Sequence, residues 1–458
     1  MKQYIHIGLD DIDSPYGGCT THFASLILVE LIKKFRVEPI DYPNIIRLNP
    51  AVPWKTRGNG SLALRFRINN YSVDEVFEYV INRLYDYLNE YSKNWSIHSQ
   101  PVVSILTGEP PAEITWFSKK AIQDLVPLDL ALRIASKVEG FKFKALTGKN
   151  RGLIGSMAGI GYRMIDTDYT YELIAYRDPS YIGSVRKVNE YSVKKMDQLY
   201  GEETILNYDY EIDKPLILPK GPDPVLLGIR GERSDILYEA FKTLDIDEPV
   251  PLIVLFRTNQ HTDAHLREVS SIANIHPYMC IKVRGVVSRK PRRIVGGHVV
   301  FSITDNSGSI DVVAYEPTGG FRNIIEELEV GDVVEVMGIT RPKHSGLRLT
   351  INLEKIRVVE VRQKTIYQNP LCPKCGVRMK SAGRGKGFKC IKCGYADKKL
   401  TKIVVETTRK LQPGYYEPPP RVFKHLMKPL KRIGKEKSFF PKEYRPINFI
   451  WMNGSIFA

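Results

Sequence analysis

Apolar and polar positions alternate through Tyr4-Ile5-His6-Ile7-Gly8-Leu9, the pattern of a half-buried strand, and Asp10-Asp11-Ile12-Asp13-Ser14 ends it. After the turn Gly17-Gly18 the period lengthens: Thr21, Phe23, Leu26, Ile27, Val29, Ile32 and Phe35 mark one face of a helix that starts at Thr20. Patterning then predicts a strand over 61–68, an aromatic-rich helix over 73–91, a strand over 101–106 and a helix over 121–138. Residues 151–164 are punctuated by glycine, and 171–175 read as a strand. These elements predict an α/β layered domain over 1–125 and a second α+β unit over about 126–250.

From Cys280 the pattern changes to short strands over 280–288, 299–304, 309–314, 332–338 and 347–351, separated by glycine turns. Five such strands over 275–361 match an OB-fold, although any small barrel shares the spacing. Residues 401–458 carry prolines at 413, 418, 419, 420, 429, 441 and 446, which predicts an extended arm with at most short helices. The fold class is therefore multidomain α+β.

Cysteine placement adds a compact module over 366–400. Cys372 and Cys375, a gap of 14 residues, then Cys390 and Cys393 form two Cys-x-x-Cys knuckles, the spacing of a zinc ribbon. Four thiolates close a tetrahedral shell, so this predicts structural Zn²⁺ rather than catalysis. Cys19 and Cys280 stand apart, which argues against a disulfide framework. No apolar run approaches 18 residues and the start lacks signal-peptide character, so a cytoplasmic protein with no membrane partner is expected.

Charge is unevenly placed. Residues 361–458 hold 23 Lys and Arg against 5 Asp and Glu, whereas the first 360 hold 44 against 46. A block that positive predicts an anionic partner, with nucleic-acid phosphate the usual one and a solubilising tail the plainer alternative.

Asp10, Asp11 and Asp13 repel one another unless a cation joins them, and Mg²⁺ carrying nucleotide phosphates suits carboxylate ligands. Acidic residues also gather in turns and helix starts, so turn capping stays open. Gly17, Gly18, Cys19 and Thr21, then Arg57-Gly58-Asn59-Gly60, then Lys149, Arg151 and Gly152 couple cations or hydroxyls to glycine turns and are candidate phosphate contacts, with ordinary glycine turns between strands the alternative for the last two segments. Aromatic residues Tyr315, Phe388 and Tyr395 are candidate base-stacking groups or core residues.

The runs Gly8-Leu9-Asp10-Asp11-Ile12-Asp13-Ser14, Gly18-Cys19-Thr20-Thr21, Arg57-Gly58-Asn59-Gly60, Arg151-Gly152-Leu153-Ile154-Gly155 and Tyr171-Glu172-Leu173-Ile174-Ala175-Tyr176-Arg177 resemble the TiaS family. Its members are archaeal 2-agmatinylcytidine synthetases of the minor isoleucine tRNA with a CAU anticodon. The resemblance implies a kinase-like domain, a ferredoxin-like domain, an OB-fold and a zinc ribbon, in that order. It implies an ATP-dependent ligase that phosphorylates the cytosine 2-carbonyl oxygen and replaces it with agmatine's amine. Ile12 stands where the family usually has threonine, and the three carboxylates remain. Thr20 matches the family's phosphorylated threonine, with Thr21 beside it. Asp10, Asp11, Asp13 and Thr20 are the expected catalytic residues. Asp166, Asp168, Tyr171 and Glu172 are the expected agmatine contacts. A non-enzymatic single-strand-binding protein and a phosphotransferase for another nucleoside are the alternatives.

Overall fold

The computed structural model describes residues 3–15, 17–92, 95–342 and 348–458. The opening alternation forms β1 (Gln3–Asp10), with Ile5, Ile7 and Leu9 fully buried. It is followed by α1 (Thr20–Phe35), β2 (Asn44–Arg47), β3 (Gly60–Ile68), α2 (Val73–Tyr91) and β4 (Val102–Thr107). The residues expected to form one helix over 121–138 form two, α3 (Ala112–Gln123) and α4 (Leu128–Lys137). Asp124 is extended and Pro127, whose ring cannot continue a helix, caps the second. Next come β5 (Phe141–Ala145), α5 (Gly152–Gly161), β6 (Thr170–Tyr176), β7 (Val225–Gly231), α6 (Ser234–Lys242) and β8 (Leu252–Thr258).

These strands share one sheet in the order β5-β4-β1-β3-β2-β8-β6-β7. Pairing of β5 with β4 carries the first layer beyond residue 125, and the parallel pairing of Arg257 and Thr258 with Asn44 and Ile45 joins the two α/β units edge to edge. A single apolar core accordingly runs through both.

The glycine-punctuated stretch is the buried helix α5. Its serine hydroxyl, Ser156 Oγ, lies 2.7 Å from Ser104 Oγ on β4, which seats the helix directly on the sheet. The guanidinium of buried Arg65, on β3, donates to Gly159 O and Ile160 O at 2.9 Å each, satisfying carbonyls that a helix end leaves unpaired.

A closed five-stranded barrel follows: β9 (Cys280–Arg293), β10 (Val299–Thr304), β11 (Ser309–Ala314), β12 (Val333–Pro342) and β13 (Leu349–Glu360). β9 pairs with both β10 and β12, β11 runs parallel to β13, and β12 pairs with β13. This is the OB-fold that the spacing suggested, with a short helix at Phe321–Glu326 between the third and fourth strands. Leu347, the expected start of the fifth strand, lies outside the described residues.

The basic arm is not a free tail. Short 3₁₀ turns at Pro420–Val422 and Leu430–Arg432 fold it back along the sheet domain, and β14 (Ile450–Met452) pairs with β8. Leu426, Phe440, Phe449, Ile450 and Trp451 enter the main core. Many of its cations meet acids of the first 360 residues: Arg409 meets Asp332, Arg421 meets Asp209, Lys424 meets Glu354, and Arg432 meets Asp168 and Glu232. The charge asymmetry between the two parts of the sequence is thus partly neutralised within the molecule. Among the described residues no helix is long and apolar enough to cross a membrane.

Arg432 is 1% exposed and answers two carboxylates. Arg432→Ala removes the guanidinium that bridges them and leaves only Lys428 and Lys437 beside them, and it is expected to destabilise the fold by about 1.5–3 kcal/mol in urea titration. Lys399→Ala, at an exposed position, is expected to change stability by less than about 0.5 kcal/mol.

A candidate active-site cleft and a zinc centre

β1 delivers Asp10 at its end, and the chain turns at Asp11, whose φ of 56° lies in the left-handed region that short polar residues tolerate. The Asp11 carboxylate ties three segments together. It accepts from the Thr56 hydroxyl at 2.7 Å and the Gln100 N–H at 3.0 Å, and it pairs with Arg151 at 3.2 Å. Asp13 accepts from the N–H and the hydroxyl of Thr20, each at 3.3 Å, at the first turn of α1.

Asp10 is half-buried against α5 at Gly155. A Cβ built there would stand 2.1 Å from Asp10 Oδ2, so the glycine makes room for the carboxylate. Burial pushes the Asp10 carboxyl well above the usual carboxylate range, and the neighbouring Asp11 charge adds to the effect. Burial also raises Asp13, against the attraction of Arg57. Cys19, buried and near Asp13, is pushed up to about 12, which keeps it a thiol.

Two cavities meet at the 56–60 loop. One is lined by Asp10, Asp11, Asp13, Lys55, Thr56, Asn59, Gly60, Arg151 and Gly152. The other holds Cys19, Thr20, Thr21, Arg57 and Gly58 together with Glu172, and it shares Asp13 with the first. The sequence candidates from four distant segments therefore converge.

Some candidates do not line either cavity. Gly17 and Gly18 adopt φ of 125° and 78° and pack on the end of α2, where a Cβ would meet Tyr91 O at 2.4 Å or Ser92 Oγ at 2.1 Å. Lys149 is exposed. Of the four expected agmatine contacts, only Glu172 faces the second cavity. Asp166 is exposed, Asp168 is held by Arg432, and Tyr171 packs edge-on against Tyr42 and Tyr169. Strand alternation sends Tyr171 and Glu172 to opposite faces, so these four cannot form one pocket.

The structure also adds residues that the linear motifs missed. Trp54 and Asp124 line the first cavity, and Arg47, Asp223, Arg230 and His425 the second. Glu172 pairs with Arg230 at 2.9 Å and bonds to Gln260, while Asp223 pairs with Arg57 at 2.7 Å. None of these carries a local motif; the lone cation in the apolar run 225–231 was the available signal for Arg230.

Cys372, Cys375, Cys390 and Cys393 place their sulfurs within 4.8 Å of one another, with separations of 3.4 Å between Cys372 and Cys393 and between Cys375 and Cys390. Four sulfur donors fit a structural Zn²⁺ and leave no position for substrate. Asp10, Asp11 and Asp13 are not grouped that closely; one metal shared by all three needs their side chains to turn. Phe388 is in the ribbon core, the ring of Tyr395 lies beneath Lys374, and Tyr315 is partly exposed beside His298.

An acidic cleft in an α/β layer, an OB-fold and a four-cysteine ribbon together define a multidomain α+β protein in which an OB-fold barrel and a zinc ribbon follow an α/β sheet domain. The TiaS TCKD domain matches residues 6–147, the TiaS FLD domain 150–265, the OB-fold nucleic acid binding domain 281–359 and the TiaS C-terminal zinc ribbon domain 369–411. The chain belongs to the TiaS family. It is 54% identical over 461 residues to TiaS of Staphylothermus marinus, a 2-agmatinylcytidine synthetase of the second isoleucine tRNA, and the match covers 100% of both chains. The TiaS of Archaeoglobus fulgidus is 40% identical over 437 residues, covering 94% of this chain and 98% of the relative. Among solved structures, a complex of TiaS with the second isoleucine tRNA and ATP superposes with a TM-score of 0.82 at 37% identity. A complex of TiaS with the same tRNA, AMPCPP and agmatine gives 0.79 at 35%; each covers 94% of this chain and 97% of its own.

The raised Asp10 carboxyl has a stability consequence. Between the unfolded and folded pKa values the native state binds more protons than the unfolded state, so stability falls as pH rises through that window. Asp10→Asn removes this titration. Its melting temperature, measured without nucleotide, is expected to gain on the wild type as pH rises from 4 towards neutral, and equal pH profiles would contradict the burial assignment.

Proposed function

We propose that this chain is an ATP-dependent ligase that joins agmatine to the wobble cytidine of the CAU-anticodon isoleucine tRNA. The observation that carries the reading is the full-length match to TiaS enzymes, including a solved relative with the second isoleucine tRNA, AMPCPP and agmatine. The paired cavities at the 56–60 loop support it, because the reaction needs a nucleotide phosphate and an amine on either side of one base.

An amine cannot displace the cytosine 2-carbonyl oxygen directly, since oxide is a very poor leaving group. Transfer of a phosphoryl group from ATP to that oxygen makes it a phosphate ester. The primary amine of agmatine then attacks ring carbon 2, the C–O bond breaks, and phosphate departs with the oxygen. Positioning and electrostatic stabilisation are what the protein contributes to such a transfer. Mg²⁺ would supply positive charge at the phosphates, and Asp10, Asp11 and Asp13 would hold it. Two of these carboxyls are destabilised by burial, which fits a cation arriving with the nucleotide. Arg151, Asn59 and Gly60 line the cavity of the three aspartates, Arg57 and Gly58 line the adjoining one, and these residues are assigned to phosphate. Thr20, bonded to Asp13, is the threonine assigned to phosphorylation. Glu172 is retained as an agmatine contact, and Asp166, Asp168 and Tyr171 are not.

A purely single-strand-binding protein needs only the barrel and ribbon, and it gives no reason to gather three carboxylates at the edge of one cavity. Incubation with tRNA transcript, ATP and labelled agmatine tests the choice: label in RNA is expected, and its absence with active protein rejects the synthetase reading. Asn keeps the left-handed tolerance of position 11 and removes the charge. Asp11→Asn is therefore expected to reduce ATP turnover at least about 100-fold while tRNA affinity changes less than about twofold. Comparable loss of both would make the cluster structural.

A further inference from the structure

The 55–58 loop has another cavity on its far side. It is lined by Arg47, Lys55 and Arg57 of the sheet domain, Arg341 of β12 in the barrel, and Lys424 and His425 of the folded-back arm. The acids nearby are committed: Asp223 to Arg57 at 2.7 Å, Glu354 to Lys424 at 2.9 Å, and Glu172, 4.0 Å from Arg47, to Arg230. Among the described residues, Arg341 and Lys55 have no carboxylate partner. The Arg341 guanidinium lies 5.5 Å from the Tyr278 ring centroid, and Lys55 Nζ donates to Arg57 O at 3.0 Å. Asn352 on β13 also lines the cavity, and its side-chain oxygen is buried and has no hydrogen-bond partner among the described residues.

Cations gathered in a partly desolvated junction repel one another unless an anion enters. The position of the cavity says which anion. Lys55 also lines the acidic cleft of Asp10, Asp11 and Asp13, and Arg57 and Gly58 also line the Thr20 cavity, so one short loop separates all three spaces. A nucleotide with its base beside Thr20 has its own backbone within reach of this third space. The barrel, whose fold is suited to single strands, supplies the opposite wall.

We propose that this three-way junction is a binding pocket for a backbone phosphodiester of RNA flanking the nucleotide in the cleft, with Arg341 as its principal charge and Asn352 as an acceptor for a neighbouring ribose hydroxyl. The assignment rests on the function proposed above. Phosphate is the shared chemistry of two sources, RNA and ATP, and the location across the loop from Asp10 selects RNA.

The test uses the full-length chain and the CAU isoleucine tRNA transcript in filter binding over a range of KCl, with ATP affinity measured by equilibrium dialysis without RNA. Arg341→Gln is expected to weaken tRNA binding about tenfold at low salt and to make the log–log salt slope shallower by about one, and Arg341→Lys restores the slope. Asn352→Asp, which is isosteric, is expected to weaken tRNA binding by a similar factor with ATP affinity unchanged. Wild-type tRNA affinity and salt slope in both Arg341→Gln and Asn352→Asp would overturn the proposal. So would a loss of ATP affinity in step with the loss of RNA, which would make the pocket a nucleotide site. If the expected binding changes occur but wild-type protein incorporates no labelled agmatine, the synthetase function fails and the pocket stands.

Discussion

Negative charge at the end of a buried strand must be answered from elsewhere in the chain, and that requirement organises this molecule. Asp11 is answered by a hydroxyl from the Thr56 loop, a backbone amide before β4 and a guanidinium at the head of α5. Asp13 is answered by the first turn of α1. Four segments are thereby drawn to one point, and the two adjoining cavities are the space left between them. Asp10 receives the least compensation, and its place depends on a helix that approaches closely enough only because position 155 lacks a side chain.

The carboxy-terminal segment answers charge on a larger scale. Arg432, Lys428 and Lys437 surround Asp168 and Glu232, while Lys424 and His425 reach the loop that divides the cavities. A segment rich in proline and cations is held by ion pairs and by a few aromatic and aliphatic residues inserted into the core. Because it contacts both the sheet domain and the barrel, it fixes how the two face one another. Among the described residues of the junction, Arg341 and Lys55 are left without a carboxylate partner.

The two zones divide the work by chemistry. On one side of the 56–60 loop carboxylates face Lys55 and Arg151, and on the other the charged lining is cationic throughout. So short a loop can hold both because glycine at 58 lets Arg47 and His425 approach the backbone: a Cβ there would lie 2.6 Å from the His425 ring.

Short-range information was enough for the strand before Asp10, the helix over 73–91, the five-strand spacing of the barrel and the cysteine spacing of the ribbon, because each depends on periodicity or on ligands close in sequence. It was also enough to mark Asp10, Asp11, Asp13, Arg57 and Arg151, and the family resemblance added Thr20; the fold brings all of these side chains to adjoining cavities. Tertiary structure alone decided that α5 is a helix, since its glycines lower intrinsic propensity and only packing on the sheet offsets that cost. It alone placed Arg47, Asp223, Arg230, Arg341 and His425 at the site, because residues up to several hundred positions apart meet through sheet order and barrel docking. The same holds for the basic arm: composition records how much charge a segment carries, and only the folded chain determines which acids take it up.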